Sequence, residues 1–208
     1  MSCQSIYDEY NAGMNNIYNS FFISFLALKP LQERPLVSDF VIPILGFSFS
    51  TLQACQLNRL QDDSINEYVN SIRRHMLNDV MICYERYASL MYTYHLKGNR
   101  IDYANIEDRT LNSAKFESLP NLFLPEEKEF ISQLRRLRNS IVHYNGVYNK
   151  SNILKYTFYN YTYDSQGHEG ENIQIDLDSI IYIYKTIFSL VANVHSRYEN
   201  QQYNFKQS

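Results

Sequence analysis

Tryptophan is absent from this 208-residue sequence, and glycine (6) and proline (5) are scarce. A β-sandwich punctuated by Gly and Pro turns, or a collagen-like repeat, has no material here. Cysteine is confined to Cys3, Cys55 and Cys83, an odd number without a C-x-x-C pair. That speaks against a disulfide scaffold or a zinc site and points to buried reduced thiols in a cytosolic protein. Charge of one sign is not in excess either: 19 basic against 22 acidic residues give a net charge of -3, so any anion site must be a local patch. The most apolar stretches, Ile17–Leu28, Phe40–Phe49 and Ile180–Val194, fall short of a bilayer span, and Pro43, Gly46 and Lys185 interrupt two of them. The opening MSCQSIYDEY carries acids where a secretory leader carries bases. A cytoplasmic protein without membrane contact is expected. What is present is 45% apolar residues, 20% charged residues, 19 Tyr and 12 Phe, which excludes disorder and suits one domain with a sizeable core.

Periodicity predicts a mainly α chain, a single domain over 1–208. Ile6–Ala27 reads as a helix, with Ile17, Phe21, Phe25 and Leu28 at helical spacing. Lys29–Ser38 reads as a connection, and Asp39–Gln61 as a second helix kinked at Pro43. Ser64 and Glu67 form a capping-box pattern for a helix from about Ile65 to Leu96, stopping before Lys97-Gly98-Asn99. Arg100–Leu124 has no clear period and reads as a long loop. Pro125-Glu126-Glu127 opens a further helix to about Tyr144, which Asn145-Gly146 can cap. Ile153–Tyr163 alternates and reads as a strand. Across a turn at Ser165–Gly170, Asn172–Leu177 reads as its partner, giving a β-hairpin over about 153–177. Asp178 is expected to cap a last helix through about Tyr198, followed by a frayed polar tail over about 199–208.

The informative segment is Arg135-Arg136-Leu137-Arg138-Asn139-Ser140-Ile141-Val142-His143. At about 100° per residue, Phe130, Leu134, Leu137, Ile141 and Tyr144 form one stripe toward the core, with His143 far from its middle. Arg135, Arg136 and Asn139 share the outer face and Arg138 lies at its edge. Four Lys/Arg and no acid stand between Leu134 and Lys150. A guanidinium grips phosphate oxygens in a planar fork, and an imidazole moves protons near neutral pH. Asn139, one helical turn before His143, can orient the ring or a phosphate. A solvated basic face is the competing reading of the same residues.

Arg138-Asn139-Ser140-Ile141-Val142-His143 resembles the R-x(4–6)-H motif of the HEPN superfamily (higher eukaryotes and prokaryotes nucleotide-binding), in its Arg-Asn form. The likeness covers about Leu134–Gly146. It implies an antiparallel helical bundle of four to five helices, here with a β-hairpin inserted before the last one. It also implies a homodimer in which two motifs face each other in one cleft. Active members are metal-independent endoribonucleases, common in toxin–antitoxin and phage-defence systems. The expected activity is therefore RNA cleavage by 2′-OH attack, leaving a 2′,3′-cyclic phosphate and a 5′-OH. His143 would move the proton, Arg138 would stabilise charge on the phosphorane and Asn139 would position groups. Arg135, Arg136, Tyr144 and Lys150 would contact RNA, and no cofactor or metal is required. An antitoxin or defence-system partner protein is an expected companion. Arg136, with six residues before His143, also satisfies the spacing, although the Arg-Asn pair favours Arg138. Asn145, two residues after the His, replaces the Tyr of one toxin branch, so regulation by nucleotide transfer to a tyrosine is not expected. Other relatives only bind RNA, a nucleotide or a protein.

Elsewhere the bland reading is preferred. Arg73-Arg74-His75 reads as a solvated stripe, and Glu85 and Arg86 as surface charges rather than supports of the motif. His95 reads as a helix-end contact and His168 as exposed. His195 is read as lacking a cysteine or carboxylate at metal-ligand spacing, so no metal role is expected. The tyrosines of 156–163 read as packing residues rather than as a base-stacking platform.

Overall fold

Apolar side chains recurring every three or four residues dictate the framework. The structure, a computed structural model, describes residues 1–33, 62–98, 109–148 and 155–207, without the side chains of 28–33, 62–65 and 202–207. Among them stand five helices and one hairpin: α1 (Cys3–Glu33), α2 (Asp62–Lys97), α3 (Arg109–Glu117), α4 (Pro125–His143), β1 (Lys155–Phe158), β2 (Tyr161–Asp164) and α5 (Leu177–Gln207). The chain is mainly helical, with the hairpin before the last helix as the sequence predicts. The helix expected over Asp39–Gln61 lies outside the described residues.

α2 is the central element, with α1, α3, α4 and α5 all packed on it. Its residues Met76, Leu77, Val80, Met81, Tyr84, Tyr87, Ala88 and Met91 form one broad buried stripe, and buried Glu85, Ser89 and Leu90 extend the covered surface around the helix. α1 presents Ile6, Tyr10 and Met14, and α5 presents Ile180, Ile183, Ile187, Val191 and Val194. Each such side chain contributes about 1.5–3 kcal/mol on leaving water, and aromatic edges interlock them: Tyr87 meets Phe116 edge-on at 6.1 Å. The segment Leu177–Gln201 of α5 reaches the length and hydropathy of a membrane span, beyond the stretch read from the sequence. Its five aliphatic residues above belong to the core of this fold.

Several boundaries differ from expectation, each for a local reason. α1 continues through Pro30 to Glu33. The carbonyl four residues back belongs to exposed Leu26, where water can replace the missing N–H. α2 begins at Asp62, so Ser64 lies inside the helix rather than capping it. The expected loop Arg100–Leu124 contains α3, a nine-residue helix that forms because Phe116 and Ser113 bury against α2. The hairpin is shorter and earlier than predicted. Both strands lie within Lys155–Asp164, paired antiparallel from Lys155↔Asp164 to Phe158↔Tyr161. The turn is Tyr159-Asn160, with Tyr159 at φ 54, so the long alternating run folds back on itself. Asn172–Leu177 makes only an isolated bridge, Val147↔Asn172, although Ile173 and Ile175 are buried as the alternation requires. Asp176, not Asp178, caps α5: its carboxylate accepts from the backbone N–H (2.8 Å) and hydroxyl (2.6 Å) of Ser179. α5 runs to Gln207 where a frayed tail was expected.

Candidate functional site

α4 is fixed at both ends. Pro125 starts it, and the Glu127 carboxylate accepts from the Leu124 N–H at 2.8 Å while also pairing with Arg197 of α5. At the other end the Tyr144 N–H reaches Ser140 O (3.2 Å) and the Gly146 N–H reaches Ile141 O (3.0 Å). Asn145 and Gly146 both have positive φ, 53 and 74. Arg74 of α2 closes the turn, donating to Gly146 O at 3.3 Å and pairing with Glu67. A Cβ on Gly146 would lie 2.2 Å from Arg74 Nη1, so any side chain here must push the guanidinium aside and adopt a positive φ. His143, the last residue of α4, is thereby held at a defined end.

Along α4 the basic run divides into two rows. Ile131, Leu134, Leu137 and Ser140 are buried, with Phe130 and Ile141 half-buried. Tyr144, expected on this stripe, is 45% exposed because the helix has already ended. Arg135 and Arg138 turn toward the interior, correcting the outer-face placement of the first. Arg138 Nη2 donates to Glu85 Oε1 at 2.7 Å, and Arg135 Nε reaches the same oxygen at 3.3 Å. Arg135 Nη2 also donates to Glu117 Oε1 at 2.8 Å, an oxygen that accepts from Tyr84 (2.9 Å) and Ser113 (3.0 Å) as well. Two guanidinia thus meet two carboxylates under the helix. Burial disfavours the Arg135 cation, but its hydrogen bond and attraction to Glu117 prevail and push its pKa up. Burial, reinforced by Glu117, pushes the Tyr84 hydroxyl well above its usual range.

The second row faces out. Arg136 and His143 are exposed, with Asn139 half-buried between them. Seven residues apart, Arg136 and His143 differ by only about 20° around the helix, whereas Arg138 and His143 differ by about 140°. The exposed Val142 and Tyr144 border the same end. The sequence-predicted residues therefore separate: Arg136, Asn139 and His143 come together on open surface, while Arg135 and Arg138 lie beneath. Lys150 lies outside the described residues. Glu85 is the residue the sequence undervalued. It is 4% exposed and receives Arg138, because α2 packs along α4. Arg86 pairs with Glu9 instead. Arg73 and Arg74 are not a solvated stripe: Arg73 donates to Ile175 O at 3.1 Å and burial lowers its pKa, leaving His75 the exposed member. Tyr156, Tyr161 and Tyr163 are buried, and only Tyr159 stands out, stacked on Tyr182 at 5.7 Å. His168 is exposed and 2.9 Å from Glu171, and His95 lies 3.4 Å from the Tyr198 hydroxyl.

His195 corrects the sequence reading most sharply. Cys3, 192 residues away, lies against its ring, with Sγ 3.8 Å from Nδ1 and 4.0 Å from Nε2. Glu199, one turn along α5, places Oε1 3.5 Å from Nε2. Tyr7 stacks on the ring at 4.3 Å, and the Tyr87 hydroxyl lies 3.2 Å from Nδ1. Burial, with the charge of Glu199, pushes the Cys3 thiol up to about 12. Burial lowers the His195 pKa against the pull of Glu199 and Asp8. The i, i+4 carboxylate was visible in the sequence, whereas the cysteine required the packing of α1 on α5.

No family model, curated protein or solved structure matches this chain.

Proposed function

We propose that the protein is a HEPN-type, metal-independent endoribonuclease that cleaves RNA at the exposed row of α4, with a toxin–antitoxin or phage-defence role. The observation that carries the reading is the row itself: an exposed guanidinium, an amide and an imidazole aligned at the end of a helix locked in place. RNA supplies its own nucleophile, so the protein need only move one proton and hold the phosphate. His143 takes the 2′-OH proton or gives one to the departing 5′-oxygen. Arg136 is the arginine able to reach a phosphate. Arg138, tied to Glu85, acts as a positioning residue that sets the rotation of α4, and Asn139 orients the ring or the phosphate. A second copy of the chain, docking through Val142 and Tyr144, completes the cleft, with Arg135 contributing only beneath the surface.

The test incubates purified protein with end-labelled RNA in EDTA, alongside His143→Ala, Arg136→Ala and Arg138→Ala. Light scattering reports the oligomer. Cleavage should leave a 2′,3′-cyclic phosphate, and loss of His143 should lower the rate about 10²–10⁴-fold. Arg136→Ala should lower the rate with the fold unchanged. Absent cleavage, or cleavage that survives both the His143 and Arg136 changes, removes the enzyme reading. One observation favours a second reading, a HEPN-like module that binds RNA, a nucleotide or a protein without cleaving. The arginine of the Arg-Asn form is already neutralised by Glu85. RNA binding without cleavage, weakened by Arg136→Ala, selects that module.

A further inference from the structure

We propose that Cys3, His195 and Glu199 form a zinc-binding site that staples the first turn of α1 to α5. The site shares no residue with the exposed row of α4 and does not depend on the ribonuclease reading. Its three ligand atoms, a thiol sulfur, an imidazole nitrogen and a carboxylate oxygen, all lie within 4.8 Å of one another. Zinc bonds of about 2.0–2.3 Å at a tetrahedral angle place such atoms roughly 3.4–3.6 Å apart. The Nε2–Oε1 separation of 3.5 Å already matches; the sulfur, 3.8 Å from Nδ1 and 4.0 Å from Nε2, stands level with both ring nitrogens and reaches a metal on Nε2 by turning about the Cys3 Cα–Cβ bond.

The surroundings are those of a metal-binding histidine. A ring that gives Nε2 to a metal must carry its proton on Nδ1, and the Tyr87 oxygen stands 3.2 Å from Nδ1 to accept it. Tyr7, stacked at 4.3 Å and nearly parallel at 11°, walls one face and stops the ring from rotating. Sulfur with nitrogen and oxygen suits borderline-soft Zn²⁺, whereas Mg²⁺ and Ca²⁺ select all-oxygen sites. The Cys3 thiol, which otherwise faces the Met91 sulfur at 3.8 Å, gives its proton to solvent as the Zn–S bond forms. Cys3 and Glu199 are not fully buried, so the ion has a way in and water can take the fourth position.

The experiment uses the full chain, stripped with chelator and titrated first with Co²⁺ and then with Zn²⁺. One Co²⁺ per chain should bind with a thiolate-to-metal charge-transfer band, and one equivalent of Zn²⁺ should displace it. Zinc should also raise the melting temperature of the stripped protein. Cys3→Ser, a mild change at the first turn of α1, should remove the band and the melting shift. Glu199→Gln, at a half-exposed position, should weaken binding about tenfold or more, and Tyr87→Phe about tenfold through the freed imidazole. Cys55→Ser and Cys83→Ser should change neither signal. The proposal is overturned if the folded protein takes up no stoichiometric metal. It is equally overturned if the thiolate band survives Cys3→Ser or depends on Cys55 or Cys83.

Discussion

The two rows of α4 carry the same kind of side chain into opposite surroundings. Arg135 and Arg138 sit against Glu85 and Glu117 in a low-dielectric seam, whereas Arg136 stands in water beside His143. The inner arginines tie α4 to α2 and α3, and the outer one stays exposed to solvent. The contrast teaches that a basic run is not one feature: neighbouring arginines part company wherever the adjoining helix offers a carboxylate. Removing Glu85 is the strongest way to break the comparison. Glu85→Ala leaves two inward guanidinia short of a partner and should cost about 3–5 kcal/mol in urea unfolding. Arg136→Ala should stay within about 0.5 kcal/mol of the parent. Equal losses for the two variants would mean that the rows do not differ energetically.

A double-mutant cycle sharpens the same contrast. Arg138→Ala alone should destabilise by about 2–4 kcal/mol, because the Glu85 carboxylate is then left with Arg135 alone. Combined with Glu85→Ala it should add far less than the sum, a coupling of about 1–3 kcal/mol. Strict additivity would sever the pair. In RNA-cleavage assays the ordering should reverse: Arg136→Ala loses rate at full stability, while Arg138→Ala loses rate in step with its melting temperature. If rate follows only Arg138 when folding is held constant by temperature, the roles proposed for the two arginines exchange.

How much of this was legible in the sequence follows from which interactions are local. The start of α4 at Pro125, its end near Asn145-Gly146, the outward His143 and the hairpin before α5 were readable, because caps, turns and helical phase are set within a few residues. α3 was missed because nothing within 109–117 requires a helix. Phe116 forms one only when Tyr87 of α2 is there to cover it. The hairpin was misplaced because Tyr159-Asn160 lacks the glycine that usually announces a tight turn. The fate of each arginine, and the approach of Cys3 to His195, depend on partners 18 to 192 residues away. No pattern within one helix contains them.

Gly146 connects the rows, since the turn it forms holds His143 at the end of the outer one. Gly146→Ala places a methyl against Arg74 and demands a positive φ of alanine, which should cost about 1–3 kcal/mol. Arg74 yields at the expense of its bond to Gly146 O or its pair with Glu67. Thermal melting with and without a second change, Arg74→Ala, checks this. Removing the guanidinium should recover part of the loss. An alanine tolerated at 146 without penalty would show that the turn does not constrain His143.

An effect confined to alkaline pH tests the rule behind the inner row, that a buried group stays charged only where a counter-charge meets it. Arg135 meets that condition. Cys83 does not: burial pushes its thiol from 9.0 up to about 11, with Arg86 pulling down and Glu9 pushing up. The unfolded chain therefore loses this proton first as the pH rises. The stability linked to Cys83 is complete below 9.0 and is lost as the pH climbs toward about 11. Cys83→Ala removes that slope while leaving the tyrosines, which also titrate in alkali, in both proteins. The difference in urea midpoint between parent and variant should therefore shrink from neutral pH to pH about 11. A difference that stays constant across this window would mean the thiol ionises as readily folded as unfolded, and that burial alone does not keep a group neutral here.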